Sequence, residues 1–192
     1  MARFVTLFLI SAVVSAAAIG FWRIARMPEQ ILTNSMETAT AVDEIDEQMI
    51  RAPINQLVHS AGFYTPEMDV GQLGVTAPMA DMLYSIAWVD VSDDPMIVSV
   101  PEFADRFYAI SFTDLRNLNN GYIGTRVTGG GAGRYALVTG DWNGTLPEGV
   151  TRFELNTPQA QALVRVFVAG ADDFEAANAL RRQITFTPLS KL

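Results

Sequence analysis

The sequence predicts an α+β protein: an antiparallel β-sheet or sandwich core flanked by helices, with one N-terminal transmembrane helix. Three observations predict it. Phe4 to Trp22 runs for nineteen residues without a charge. Seven short runs rich in β-branched and aromatic residues follow one another between Leu83 and Val168, with no helical spacing between them. Helical periodicity lies on either side of that block. The chain divides accordingly into an anchor at 1–26, a helical segment at 27–60, and a β-rich domain with a C-terminal helix at 61–192.

As a helix, the Phe4–Trp22 run is about 28 Å long, close to the hydrocarbon thickness of a bilayer. Trp22 suits the interface, and Arg23 and Arg26 follow it. The competing reading is a cleaved signal peptide, with Arg3 as its basic start and Ser15-Ala16-Ala17 as the cleavage site. Against cleavage, the apolar run continues through Ile19, Phe21 and Trp22. An uncleaved signal of this form places the chain in the inner membrane as a single-pass protein, with the acidic domain in the periplasm. Ser11, Ser15 and Ala18 would give the anchor a small-residue packing row.

Pro28-Glu29 opens a helix, proline suiting its first turn and Glu29 its positive end. A broken stripe of Ile31, Met36 or Thr38, Val42, Ile45, Met49 and Ile50 carries this helix to Arg51. Pro53 then ends it, and Ile54–His59 reads as another turn or two. The acidic cluster Asp43, Glu44, Asp46, Glu47 reads as its solvated face. Residues 60–80 are loop, punctuated by glycine and proline. The seven strand-like runs are Leu83–Val91, Met96–Val100, Arg106–Thr113, Tyr122–Val127, Arg134–Thr139, Thr151–Leu155 and Leu163–Val168. Asp172–Ile184 returns to helical spacing through Phe174, Ala177, Leu180 and Ile184.

Composition narrows the function. The net charge is −8, and removing the first 26 residues leaves ten basic against 21 acidic residues. That balance argues against nucleic acid. With no cysteine and one histidine, neither a metal site nor a cofactor is expected. The glycine run at 128–133 is followed by a strand-like segment where a phosphate loop needs a helix, so it reads as a glycine-rich hairpin. His59 lacks a nucleophile partner in any recognisable motif. Asp81 and Tyr84 stand where loop becomes strand, positioned to cap a turn or to rim a pocket. Asp114 and Asn117 close a strand with the same two readings. Arg126 and Arg165 lie within strand patterns. If either points inward it must meet a carboxylate, and Asp81 and Asp114 are the natural partners.

Several phrases taken together resemble the domain-of-unknown-function family 1254, the cell-envelope-protein-like proteins. They are NQLVH (55–59), PMADMLYSIAWVDVSDDPMIVSVP (78–101), DRFYAISFTD (105–114), GTRVTGGGAG (124–133), DWNGTLPEGV (141–150) and TFTPL (185–189). Arg126 and Arg165 sit where the family has arginine, and Asn55 and His59 belong to the first phrase. The family pattern before Tyr84 is Arg-Pro-x-x-Asp; here Pro78 and Asp81 match, but Ala77 stands at the arginine. Longer relatives continue past TPL into a family-1214 domain. The resemblance therefore implies a membrane-anchored envelope module that binds or assembles, with a separate family-1214-like chain as partner. One alternative is an enzyme acting on an envelope carbohydrate or other acidic small molecule, using Asp81, Tyr84 and Asp114 as catalytic candidates. Another is an accessory subunit of a larger membrane complex. Candidate ligand-binding residues are Arg126, Arg165, Asn55 and His59.

Overall fold

A computed structural model of the chain describes residues 26–63 and 79–192. The anchor segment Phe4–Trp22, with Ser11, Ser15 and Ala18, lies outside the described residues. Among the described residues no helix is long and apolar enough to cross a membrane.

The fold is mainly β, with two sheets and two helices among the described residues. The first sheet has the order β1 (Val58–His59), β2 (Met82–Asp90), β8 (Gln159–Phe167), β4 (Tyr108–Asp114), β5 (Asn119–Gly124). The second runs β7 (Val150–Leu155), β6 (Gly133–Thr139), β3 (Met96–Val100), β9 (Thr185–Pro188). Helix α1 covers 26–40 and α2 covers Phe174–Arg181. Every strand pair is antiparallel except β6 with β7, which is parallel, so the second sheet is mixed.

Alternation along the strands builds the core. Leu83, Val89, Tyr108, Ile110, Phe112, Val164 and Val166 of the first sheet share one buried cluster with Met96, Val98, Val100, Leu137 and Leu155 of the second. Among the described residues the other face of the first sheet is covered over part of its area. Ile50 and Ala52 pack there against Met82, Tyr84, Ile86 and Leu163. Strand β2 is thus buried on both faces, which explains its nearly unbroken apolar run.

Three expectations need correction. The first helix stops at residue 40, well before Arg51. Asp46 Oδ1 accepts the N–H groups of Gln48 and Met49 at 3.0 Å each, and the backbones of Asp46 and Arg51 exchange two hydrogen bonds. That local turn competes with helix and sets Ile50 at φ 53°. Next, Ile54–His59 is no helical turn. Asn55, at φ 67°, donates its N–H to the Trp88 carbonyl, and Val58–His59 pairs with Ser85–Ile86 as an edge strand. Third, the glycine run is a crossover rather than a hairpin. It leads from β5 in one sheet to β6 in the other, where β6 pairs with β3 and β7. Gly130 is packed so tightly against Ala104 that a Cβ there would overlap the Ala104 carbonyl oxygen. One element had no counterpart among the strand-like runs: TFTP forms the edge strand β9, paired with β3 through Thr185–Pro188.

Candidate functional site

The site lies on the outer face of the first sheet, beside the area that Ile50 and Ala52 cover. Register places Tyr84 opposite Arg165, Arg165 opposite Ala109, and Ala109 opposite Gly124. Residues directly opposite share a face, so these four form one row across β2, β8, β4 and β5. Their chain neighbours Leu83, Val164, Val166 and Ile110 point into the core. The small residues Ala109 and Gly124 leave the row low at one end. A side chain at Gly124 would collide with the Tyr108 carbonyl oxygen at 2.5 Å.

Arg126 approaches from the turn after β5. Thr125 pins that turn: its Oγ1 accepts the Tyr108 N–H at 3.0 Å and donates to the Arg106 carbonyl at 3.2 Å. The Arg126 guanidinium then lies over the Phe107 ring, 5.4 Å from its centroid. Two clefts adjoin here. The larger, of about 510 Å³, is lined by Met79, Asp81, Met82, Tyr84 and Phe167 together with Phe107, Arg126 and Arg165. The smaller, of about 360 Å³, shares those last three and adds Tyr108, Ala109, Tyr122, Gly124 and Val127. The two guanidiniums belong to both.

Of the sequence candidates, the larger cleft brings together Asp81, Tyr84, Arg126 and Arg165. Asp81 is exposed, and its carbonyl accepts the Val168 N–H. Tyr84 is buried, and its hydroxyl oxygen accepts the Met79 N–H at 2.8 Å, holding Met79 at the lip. Neither arginine meets Asp81 or Asp114, as an inward side chain would have required. Among the described residues neither guanidinium makes an ion pair or a hydrogen bond. Their surroundings explain this: Arg126 is exposed and Arg165 half-buried on an outer face, so neither charge is enclosed.

Asp114, Asn55 and His59 lie elsewhere. Asp114 is wholly buried at the end of β4, where Oδ1 accepts the N–H groups of Arg116 and Leu118 at 2.9 Å each. Oδ2 accepts from the Asn120 amide at 3.2 Å. Burial pushes its pKa up, but those donors outweigh burial and hold it below the usual carboxylate value. The amide of Asn55 is used by Asp90, accepting its N–H at 2.8 Å and donating to its carbonyl at 3.1 Å. His59 Nδ1 is hydrogen-bonded to Ser85 Oγ at 2.8 Å. Burial first, then the charges of Arg181 and Arg182, lower its pKa to about 4, so the ring is neutral at ordinary pH.

Two arginines escaped the sequence reading. Arg181 is fully buried with neutral partners only: it donates to Ser60 Oγ, the carbonyls of Ser60 and Tyr84, and Asn178 Oδ1 at 2.6–2.9 Å. Burial, then Arg182, lowers its pKa to about 10, which still leaves it charged. Arg106 forms a two-point ion pair with Asp173 at 2.6 Å and donates to the Phe167 carbonyl at 2.8 Å. It thereby fixes a wall of the larger cleft. Neither had a sequence signal, since an arginine pair at a helix end and a strand-edge arginine are ordinary surface patterns.

Chemically, the cleft offers two guanidiniums without an ion pair among the described residues, one exposed carboxylate and aromatic walls. Asp81 and Asp114 do not face each other across a cleft, because Asp114 lines neither one. Among the described residues no group of three His, Asp or Glu is placed to hold a metal ion.

Comparison with known proteins finds one family, described as Protein of unknown function (DUF1254), matching residues 54–188. No curated protein matches the sequence. The crystal structure of the VPA0106 protein from Vibrio parahaemolyticus is similar in fold, with a TM-score of 0.66 at 19% identity. The alignment covers 87% of this chain and 36% of that one, so this chain spans about a third of its length. A putative uncharacterized protein from Burkholderia cenocepacia aligns over 91% of this chain and 42% of its own, with 15% identity and a TM-score of 0.40.

Proposed function

Because the chain belongs to the family of proteins of unknown function DUF1254, a membership that carries no activity with it, we propose a function from the cleft itself. The protein is a binding module of the cell envelope, and its cleft takes an acidic ligand. The observation that carries this reading is the pair Arg126 and Arg165, set on the shared wall of two clefts without a carboxylate partner among the described residues. A guanidinium without a counter-ion is a standing anion site, and two of them favour a carboxylate or phosphate over a neutral group. The enzyme alternative is supported only by Asp81 beside those arginines, since Asp114 is committed to its turn.

The same reading keeps the sandwich domain tethered to the inner membrane by Phe4–Trp22, facing the periplasm. What supports it is the length of the uncharged run and Trp22 at its end. It also includes a second chain, family-1214-like or part of a larger membrane complex. Strands β1, β5, β7 and β9 end their sheets without a further strand among the described residues, and exposed edges are commonly covered.

The test is isothermal titration of the detergent-purified full chain with benzoate, glucuronate and inorganic phosphate, repeated on Arg126→Gln/Arg165→Gln. A charge-assisted contact contributes about 1.5–3 kcal/mol, so the double variant should bind at least about tenfold more weakly. Undiminished binding by the double variant, or no binding of any acid by the parent, would overturn the reading.

A further inference from the structure

The lining of the clefts says more about the ligand than its charge. Away from the two guanidiniums and Asp81, the larger cleft is walled by Met79, Met82, Phe167 and the Tyr84 ring. The Tyr84 hydroxyl oxygen accepts the Met79 N–H, so the polar end of that residue is engaged within the wall. The lips are apolar as well. Met79 is 51% exposed, Tyr122 44% and Val127 66%, and all three rim the clefts. Apolar surface gathered around charged groups marks a site shaped for something with both characters. Asp81 limits the charge: a second acidic group in the larger cleft would share it with a carboxylate.

We propose that the ligand is an amphipathic monoacid. Its one acidic group, carboxylate or phosphate monoester, lies between Arg126 and Arg165, and its apolar body lies along Met79, Met82 and Phe167. This rests on the anion-binding reading above and adds to it the nature of the rest of the molecule. Sugars and polyacids are disfavoured, because among the described lining residues the polar side-chain groups besides the two guanidiniums are the Asp81 carboxylate and the engaged Tyr84 hydroxyl. Methionine walls suit a flexible or variable chain, since the thioether side chain adapts its shape to its neighbour.

The experiment uses the full chain in nanodiscs of zwitterionic lipid, with Arg126→Gln/Arg165→Gln in identical nanodiscs to subtract partition into the bilayer. The probes are the straight-chain carboxylates from butanoate to decanoate, octyl phosphate, octanol and glucuronate. Arginine-dependent affinity should rise about two- to fourfold per added methylene while the chain is still entering the cleft. Octanol should bind at least about tenfold more weakly than octanoate. Met79→Ser, at an exposed position that leaves the core intact, should flatten the length dependence. Glucuronate binding as tightly as decanoate, with no effect of chain length, would overturn the amphipathic inference and leave the arginine reading standing. Octanol matching octanoate would overturn it too. Loss of arginine-dependent binding for every acid would remove both.

Discussion

Replacing Asp114 by asparagine separates a structural carboxylate from a functional one. The side chain is wholly buried, and asparagine keeps its shape. The retained oxygen can still accept from Arg116 and Leu118, as Oδ1 does now. The other position becomes an amide facing the Asn120 amide, donor against donor. Asn120 cannot simply turn over, because its oxygen accepts the Asn156 N–H at 2.8 Å. One charge-assisted hydrogen bond is therefore lost without replacement, costing about 1.5–3 kcal/mol. For a domain of this size that corresponds to a fall in melting temperature of about 4–10 °C. Circular dichroism of the detergent-purified full chain reads it directly. Acid adds a second signature. A carboxylate held below its ordinary pKa adds stability that is full above about pH 4 and is lost as pH falls through the folded value. The asparagine variant should lack that share of the acid-induced loss. Binding of acids at the arginine cleft should stay within about twofold of the parent. An Asp114→Asn protein with unchanged melting but abolished ligand binding would refute the reasoning and return Asp114 to the site.

Three more outcomes are expected. Gly130→Ala should destabilise by about 1–3 kcal/mol or more in urea denaturation, because its Cβ would press into the Ala104 carbonyl; unchanged stability would mean the crossover yields freely. Stability should fall as pH drops from about 6.5 towards 4, because the unfolded chain gains a proton that half-buried His59 refuses, and His59→Gln should remove that share of the slope; an imidazole titrating near 6.5 by NMR would contradict it. Carbonate-washed membranes should retain the protein with Phe4–Trp22 present by intact mass, whereas a soluble product beginning near Ile19 would show cleavage.

The β runs were legible because burial needs β-branched and aromatic residues at alternating positions, and seven runs have them. Met96–Val100 is the same in the sequence reading and the structure. Strand β9 was not legible: TFTP is short, half-exposed and ends in proline, which suits an edge but resembles a loop. The parallel pairing of β6 with β7 was equally hidden, since no local pattern records which strand lies beside which. Arg126 and Arg165 stood out as charges among apolar residues. Which way they point is not written in the sequence, because alternation gives two faces without saying which is covered; among the described residues the segment bearing Ile50 and Ala52 covers only part of the outer face. Asp81 and Tyr84 were readable from their place at a strand start. Arg181 was not, because its burial depends on Ser60 and Tyr84, both far away in sequence.

The two cleft arginines also set an unusual kinetic problem. The chain as a whole carries −8, so an approaching anion is repelled at long range and attracted only near the guanidiniums. Salt screens the long-range field within about 8–10 Å at ordinary ionic strength. Raising salt should therefore speed the arrival of an acidic ligand, the reverse of ordinary electrostatic steering. The same salt weakens the contact once made, so departure quickens as well. Arrival and residence respond to ionic strength in opposing senses for the bound fraction. Occupancy should then pass through a shallow maximum with salt, while exchange becomes steadily faster.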